Sequence, residues 1–232
     1  MDEQPRLGSD GQPQLPPPEA IREQTSESMR AGVDIRQKVH DLTLEALRNR
    51  RLDAKAVREV VLAVSEGMAL GAESSRTEMR QSLADAFRGL DEALRKSAEA
   101  GQSALRQIVA TGRGFTENDL KAALGNMRRL EDDFLSTVSQ VADAAGQKVQ
   151  PELRAVLGEA RRSGTETGRQ VASTLTEFAQ RISVASLDVT LAGLQAAGEF
   201  SARLAMLTAG LLGGIADAIR KPEAGPTDRK PT

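Results

Sequence analysis

The single histidine of the chain, His40, stands beside Asp41 with Gln37 and Lys38 close by. An imidazole next to a carboxylate is raw material for general acid/base chemistry. That chemistry also needs a second reacting group and a pocket. No Ser, Cys or carboxylate arrangement around residue 40 resembles an activated nucleophile, so His40 reads as a solvated helix histidine. Glu131, Asp132 and Asp133 could offer oxygens to a cation, but Arg128 and Arg129 directly precede them and the set reads as ion pairs on a wet face. The absence of Cys and of a second His removes thiolate and imidazole metal sites. Gly112-Arg113-Gly114 follows a helix, not a strand, and lacks the later glycine and lysine of a phosphate loop; it reads as the turn that ends a helix. Arg48, Arg50 and Arg51 form a compact basic cluster at the end of the first helix, where they complement the negative end of its dipole. Stacking aromatics are missing around them, so no nucleic-acid partner is expected. The sequence thus offers no catalytic set, no cofactor loop and no metal ligands, and a non-enzymatic protein is expected.

The chemistry left is that of surfaces. Between residues 186 and 219 the apolar side chains spread around most of a helix, and such a helix must be covered by something. Gly210 and Gly214 are one helical turn apart, as are Ala205, Ala209 and Gly213, a spacing that lets another helix or a lipid-like phase approach closely. Leu204, Leu207, Gly210, Leu211, Gly214 and Ile215 are therefore the candidate interaction surface. Three occupants are compatible with it: the protein's own bundle, further copies of the chain, or an external apolar surface. The uncharged run, residues 204–216, is shorter than the roughly 18 to 20 residues that cross a bilayer, so no transmembrane segment is expected.

The elements that position this surface follow from periodicity. From Val57 the apolar and small residues return in steps of four, three and four through Val61, Val64, Met68, Ala72, Ser75, Met79, Leu83, Ala86, Leu90, Leu94, Ser97, Gly101, Leu105 and Ile108. Only a helix places those positions on one side, and an eleven-residue repeat of about 3.67 residues per turn keeps the stripe nearly straight. This predicts one helix over 53–111, about 85 Å long, begun by Asp53 with a staple from Leu52 to Val57. Phe115, Thr116 and Leu120 repeat that starting device, so a second helix over 117–146 returns as an antiparallel hairpin. A first helix spans about 19–50. Pro151 predicts a kink or restart, and Gly158, Gly164 and Gly168 a frayed or bent stretch within a helical region over 151–220. The Pro-rich ends, 1–18 and 221–232, are expected to be disordered arms.

Composition agrees with an all-α chain of long amphipathic helices, an elongated hairpin or bundle. There are 5 Phe, no Trp and no Tyr, while Ala, Gly and Ser hold many positions that a globular core would give to bulky groups. The 31 basic and 33 acidic residues nearly cancel and alternate along the helices, so no strong field draws in an anionic partner. Residues 1–24 are polar, unlike a signal or transit peptide, and a cytoplasmic location is the default expectation.

An Ala-rich chain without Cys or Trp, built of long amphipathic helices with one more apolar helix and polar ends, resembles the phasins over roughly residues 117–220. These are small bacterial proteins that coat polyhydroxyalkanoate granules. The resemblance implies a non-enzymatic coat, usually oligomeric, whose apolar face meets the polyester while its charged face keeps granules apart. A second reading is a rod-like scaffold or adaptor that binds a partner protein through the 53–146 hairpin. There Ser75, Ser97 and Gly101 are small positions that leave room for an inserted knob.

Overall fold

The computed structural model describes residues 16–48, 54–74, 78–111 and 117–182. These residues are helical almost throughout, in seven helices: α1 Pro18–Ala31, α2 Ile35–Arg48, α3 Ala54–Glu73, α4 Met79–Thr111, α5 Glu117–Ala144, α6 Val149–Ser163 and α7 Glu166–Ile182. The chain is all-α, as the periodicity requires. The two arms as far as 1–15 and 221–232, the starting devices at Leu52-Asp53 and Phe115-Thr116, the Gly112 to Gly114 turn and the helix expected over 186–219 lie outside the described residues.

Two of the expected helices are divided. The helix expected over 19–50 breaks where Gly32 takes φ 67° and Asp34 φ 53°, left-handed values that end α1 and let α2 restart. The first starts with Pro18 inside its opening turn, where the missing amide costs nothing, and closes with Arg30 in its last turn. More consequential is the break in the predicted 85 Å rod. α3 ends at Glu73 and α4 begins at Met79, and the chain reverses between them.

Side-chain partners establish that reversal. Arg58 of α3 pairs with Asp133 of α5 at 2.7 Å, and Glu73 lies against Gly146 beyond the end of α5, so α3 and α5 run in the same sense. Phe87 of α4 stacks on Phe134 with ring centroids 5.1 Å apart, and Gly101 faces Met127, so α4 runs opposite to α5. The two long helices are thus antiparallel but not packed backbone to backbone as the expected hairpin: α4 and α5 meet through side chains across the bundle, while α3, α6 and α7 each lie against both. α6 and α7 descend beside α4: Arg80 meets Glu152 at 2.5 Å and Arg106 meets Glu177 at 2.6 Å.

The restart near Pro151 is as the sequence predicts. Val149 and Gln150 both donate to the Gly146 carbonyl at 2.9 Å, and Pro151 falls in the opening turn of α6, where no helical amide bond is lost. The bend falls at Gly164, φ 76°, while α6 continues through Gly158.

The buried face of both halves of the broken rod is the predicted stripe. Val61, Val64, Met68 and Ala72 in α3, then Leu83, Ala86, Leu90, Leu94 and Leu105 in α4, are all buried. The larger core gathers α1 to α6 around Met29, Leu47, Met68, Leu90 and Phe134. A smaller one at the far end joins Leu105, Leu120, Leu124 and Phe178 across α4, α5 and α7. Each large side chain so buried contributes about 1.5–3 kcal/mol before entropy is counted.

α1 packs closely on α3. A methyl added at Gly67 would meet the Arg22 carbonyl oxygen and stand 2.7 Å from Thr25 Cβ. One added at Gly71 would stand 2.6 Å from the Ser26 carbonyl oxygen and meet Met29 Cβ. These partners ascend together, so α1 and α3 run side by side in one direction. The spacing of Gly67 and Gly71 is what lets two backbones come this close.

Candidate functional site

The six residues expected to form the interaction surface, Leu204, Leu207, Gly210, Leu211, Gly214 and Ile215, lie outside the described residues. The described residues show where the other chemically suggestive groups fall. His40 is not a solvated side chain: only 18% of it is exposed, its Nδ1 is 2.9 Å from Asp41 Oδ1, and its backbone amide faces Gly89 of α4. The close packing of α2 on α4 covers it. The acidic run lies within α5, and two of its members turn to other parts of the chain. Asp133 takes Arg58 of α3, and Glu131 accepts the Thr165 hydroxyl at 2.5 Å. Among the described residues, no group of three or more His, Cys, Asp or Glu converges as metal ligands would. Of the three small positions in the seam, Ser75 lies outside the described residues; Ser97 and Gly101 are both buried, and Gly101 is faced by Met127 of the same chain.

One polar constellation has no counterpart in sequence reasoning. Asp91, 6% exposed in the middle of α4, reaches the start of α7. Its Oδ2 accepts the Glu166 amide at 2.8 Å and its Oδ1 the Thr167 amide at 2.9 Å. The Thr165 hydroxyl accepts the Gly168 amide at 2.8 Å and donates to Glu131. Thr167 Oγ1 lies 2.7 Å from Asp91 Oδ1. The first three free amides of α7 are thus satisfied, two by a carboxylate from another helix and one by the local cap. This joint fixes the angle at which α7 leaves Gly164, and it is structural in kind: every polar atom faces a protein partner.

The groove beside it is no anion cradle. Its arginines each meet a carboxylate: Arg36 with Glu92, Arg80 with Glu152, Arg88 with Asp85 at 3.3 Å, Arg162 with Glu159 at 2.6 Å and Arg169 with Glu166 at 3.3 Å. The Arg36 hydrogen bond holds the Glu92 carboxyl below the usual carboxylate range against the opposing effect of burial. Glu92 in turn holds the guanidinium of Arg36 above its ordinary value.

The surface with unsatisfied apolar character lies on the other side. Leu62 and Leu70 of α3 are 38% and 48% exposed and flank a groove of about 390 Å³ floored by Ala69, Val141, Ala144 and Ala145. Leu62, Glu66 and Leu70 form one row at four-residue spacing, off the main stripe. That row lies outside the stripe selected by the eleven-residue repeat, and its signal in the sequence is the pair of leucines that flank Glu66.

A chain-length match accompanies this geometry. The chain belongs to the family of unknown function DUF6781. The family covers residues 12–221, hence every described helix and the apolar stretch beyond them. No curated protein and no solved structure matches the chain. Among the described residues, no helix is long and apolar enough to cross a membrane.

Proposed function

We propose that this DUF6781 protein is a non-enzymatic helical interaction protein. It self-associates and adsorbs to an apolar surface, such as a polyester granule, through residues 186–219, in the manner of the phasins it resembles, and acts in the cytoplasm. The single observation that carries the reading is the nearly all-round apolarity of that segment, centred on Leu204, Leu207, Gly210, Leu211, Gly214 and Ile215. The described bundle supports it indirectly. Its long helices bury their own stripe and carry surface ion pairs such as Arg80 with Glu152 and Arg106 with Glu177, a charged exterior suited to keeping coated particles apart. The adaptor alternative draws less support, since Ser97 and Gly101 in the proposed seam are already covered by the chain itself.

The test uses the full chain and its Leu204→Asp, Leu207→Asp, Leu211→Asp variant in light scattering and co-sedimentation with lipid or polyester particles. The wild type is expected to form a species larger than one chain and to sediment with the particles, and the variant to remain free. Equal mass and equal sedimentation of the two proteins overturns the reading.

A further inference from the structure

We propose that the groove between α3 and α5 is the seat of the chain's own apolar segment, residues 204–215, which folds back from the end of α7. This rests on reading 186–219 as an apolar helix, not on which external surface that helix meets.

Three observations converge. The first is the groove itself, where Leu62 and Leu70 stand half-exposed over a floor of alanines and Val141. Two leucines left open over an apolar floor are unusual beside helices that otherwise bury their large side chains.

The second is reach. α7 descends to Ile182 at the far end of the bundle, where Arg106 pairs with Glu177 and Leu105 packs with Leu120 and Leu124. From that level on α5 up to Val141 is about 30 Å, and the last turn of α7 adds about 7 Å, so a returning helix needs roughly two dozen residues at 1.5 Å each. Counted from residue 186, it arrives at the groove at about residues 204–212, the centre of the apolar row. The return runs in the same sense as α3 and α5, and 50 residues follow Ile182 to provide it.

The third is complementarity. Gly210 and Gly214 leave a notch one turn wide, suited to the Leu70 side chain, while Leu204, Leu207 and Leu211 supply the bulk that the alanine floor lacks. Residues 204–216 carry no charge to be buried, and Arg203 directly precedes them in sequence; the groove's rim carries Glu73 together with Glu66, which pairs with Arg22 at 3.5 Å. Seated this way, the segment covers its own apolar face until an external surface or a second copy of the chain competes for it.

The chain contains no Cys, so any disulfide reports an introduced pair. Full-length chains carrying Leu62→Cys with Leu204→Cys, or Leu70→Cys with Leu211→Cys, are oxidised mildly. An intrachain bond is expected, read as a band of single-chain covalent mass under denaturing, non-reducing conditions. Disulfide-linked dimers, which put a second copy in the groove, overturn the proposal, as does the absence of a bond for every pairing of 62 or 70 with 204, 207 or 211. A second readout is independent of pair geometry. Alkylation of Leu70→Cys by iodoacetamide is expected to be about tenfold faster when Leu204→Asp, Leu207→Asp and Leu211→Asp are added, as for a seat filled about nine-tenths of the time. An unchanged rate overturns the proposal. Particle adsorption measured on the same proteins keeps the two ideas apart: an intrachain bond without any adsorption sinks the coating function and leaves the seat standing.

Discussion

Removal of the Asp91 carboxylate by Asp91→Ala strands the two amides that begin α7. Both lie within 2.9 Å of its oxygens, and Asp91 itself is 6% exposed, so little water can take its place. Losing an N-cap costs about 0.5–2 kcal/mol, and hydrogen bonds to a charged acceptor are worth about 1.5–3 kcal/mol each. The two figures overlap in what they describe, so the expected loss is about 3 kcal/mol and not their sum. In a chain of this size about 1 kcal/mol moves the midpoint by 2–4 °C, so thermal unfolding followed by circular dichroism should fall by roughly 6–12 °C. Asp91→Asn keeps one acceptor and should lose about half as much. Hydrogen exchange localises the effect: the Glu166 and Thr167 amides should lose protection first, while Gly168, held by the Thr165 hydroxyl at 2.8 Å, should lose less. A loss below about 1 kcal/mol with unchanged exchange at residues 166 and 167 would refute the argument that this cross-helix cap sets the joint.

Two further outcomes follow from the packing and the charges. Gly67→Ala and Gly71→Ala each drive a methyl into backbone atoms of α1; the clash costs about 1–3 kcal/mol and exceeds the roughly 1 kcal/mol that alanine gains in helix propensity, so urea unfolding should show a net loss, and a net gain would contradict the observed closeness of α1 and α3. The Glu92 carboxyl has its pKa lowered in the fold by the Arg36 hydrogen bond, so its stabilising contribution is complete above the ordinary unfolded carboxylate range and disappears as pH falls through the lowered value. Stability measured from neutral pH downward should therefore show Glu92→Gln weaker than the wild type at neutral pH and the two curves converging in acid; parallel curves would show that the pair adds nothing.

What the sequence determined by itself was the helical class and the identity of the buried face. An eleven-residue recurrence of apolar positions has one geometric solution, and Val61, Val64, Met68, Leu83, Leu90, Leu94 and Leu105 are buried as that solution requires. Pro151 and Gly164 also act locally and were legible for that reason, since a missing amide or a left-handed φ disturbs its own turn whatever surrounds it. The reversal between Glu73 and Met79 was not legible, because the stripe resumes in phase after the break and periodicity records which side is buried, not whether the axis continues. Gly71 followed by Ser74, Ser75 and Thr77 was the available hint, a cluster of poor helix formers inside an otherwise strong pattern. Only the tertiary structure decided the rest. Asp91 and Thr167 are 76 positions apart, and Arg58 and Asp133 are 75 apart, so nothing in either neighbourhood announces its partner. His40 is covered for the same reason: the glycine that lets α2 approach α4 belongs to a different helix. Local sequence sets the turn each residue makes, whereas long-range contacts form only when the whole chain has found which faces meet.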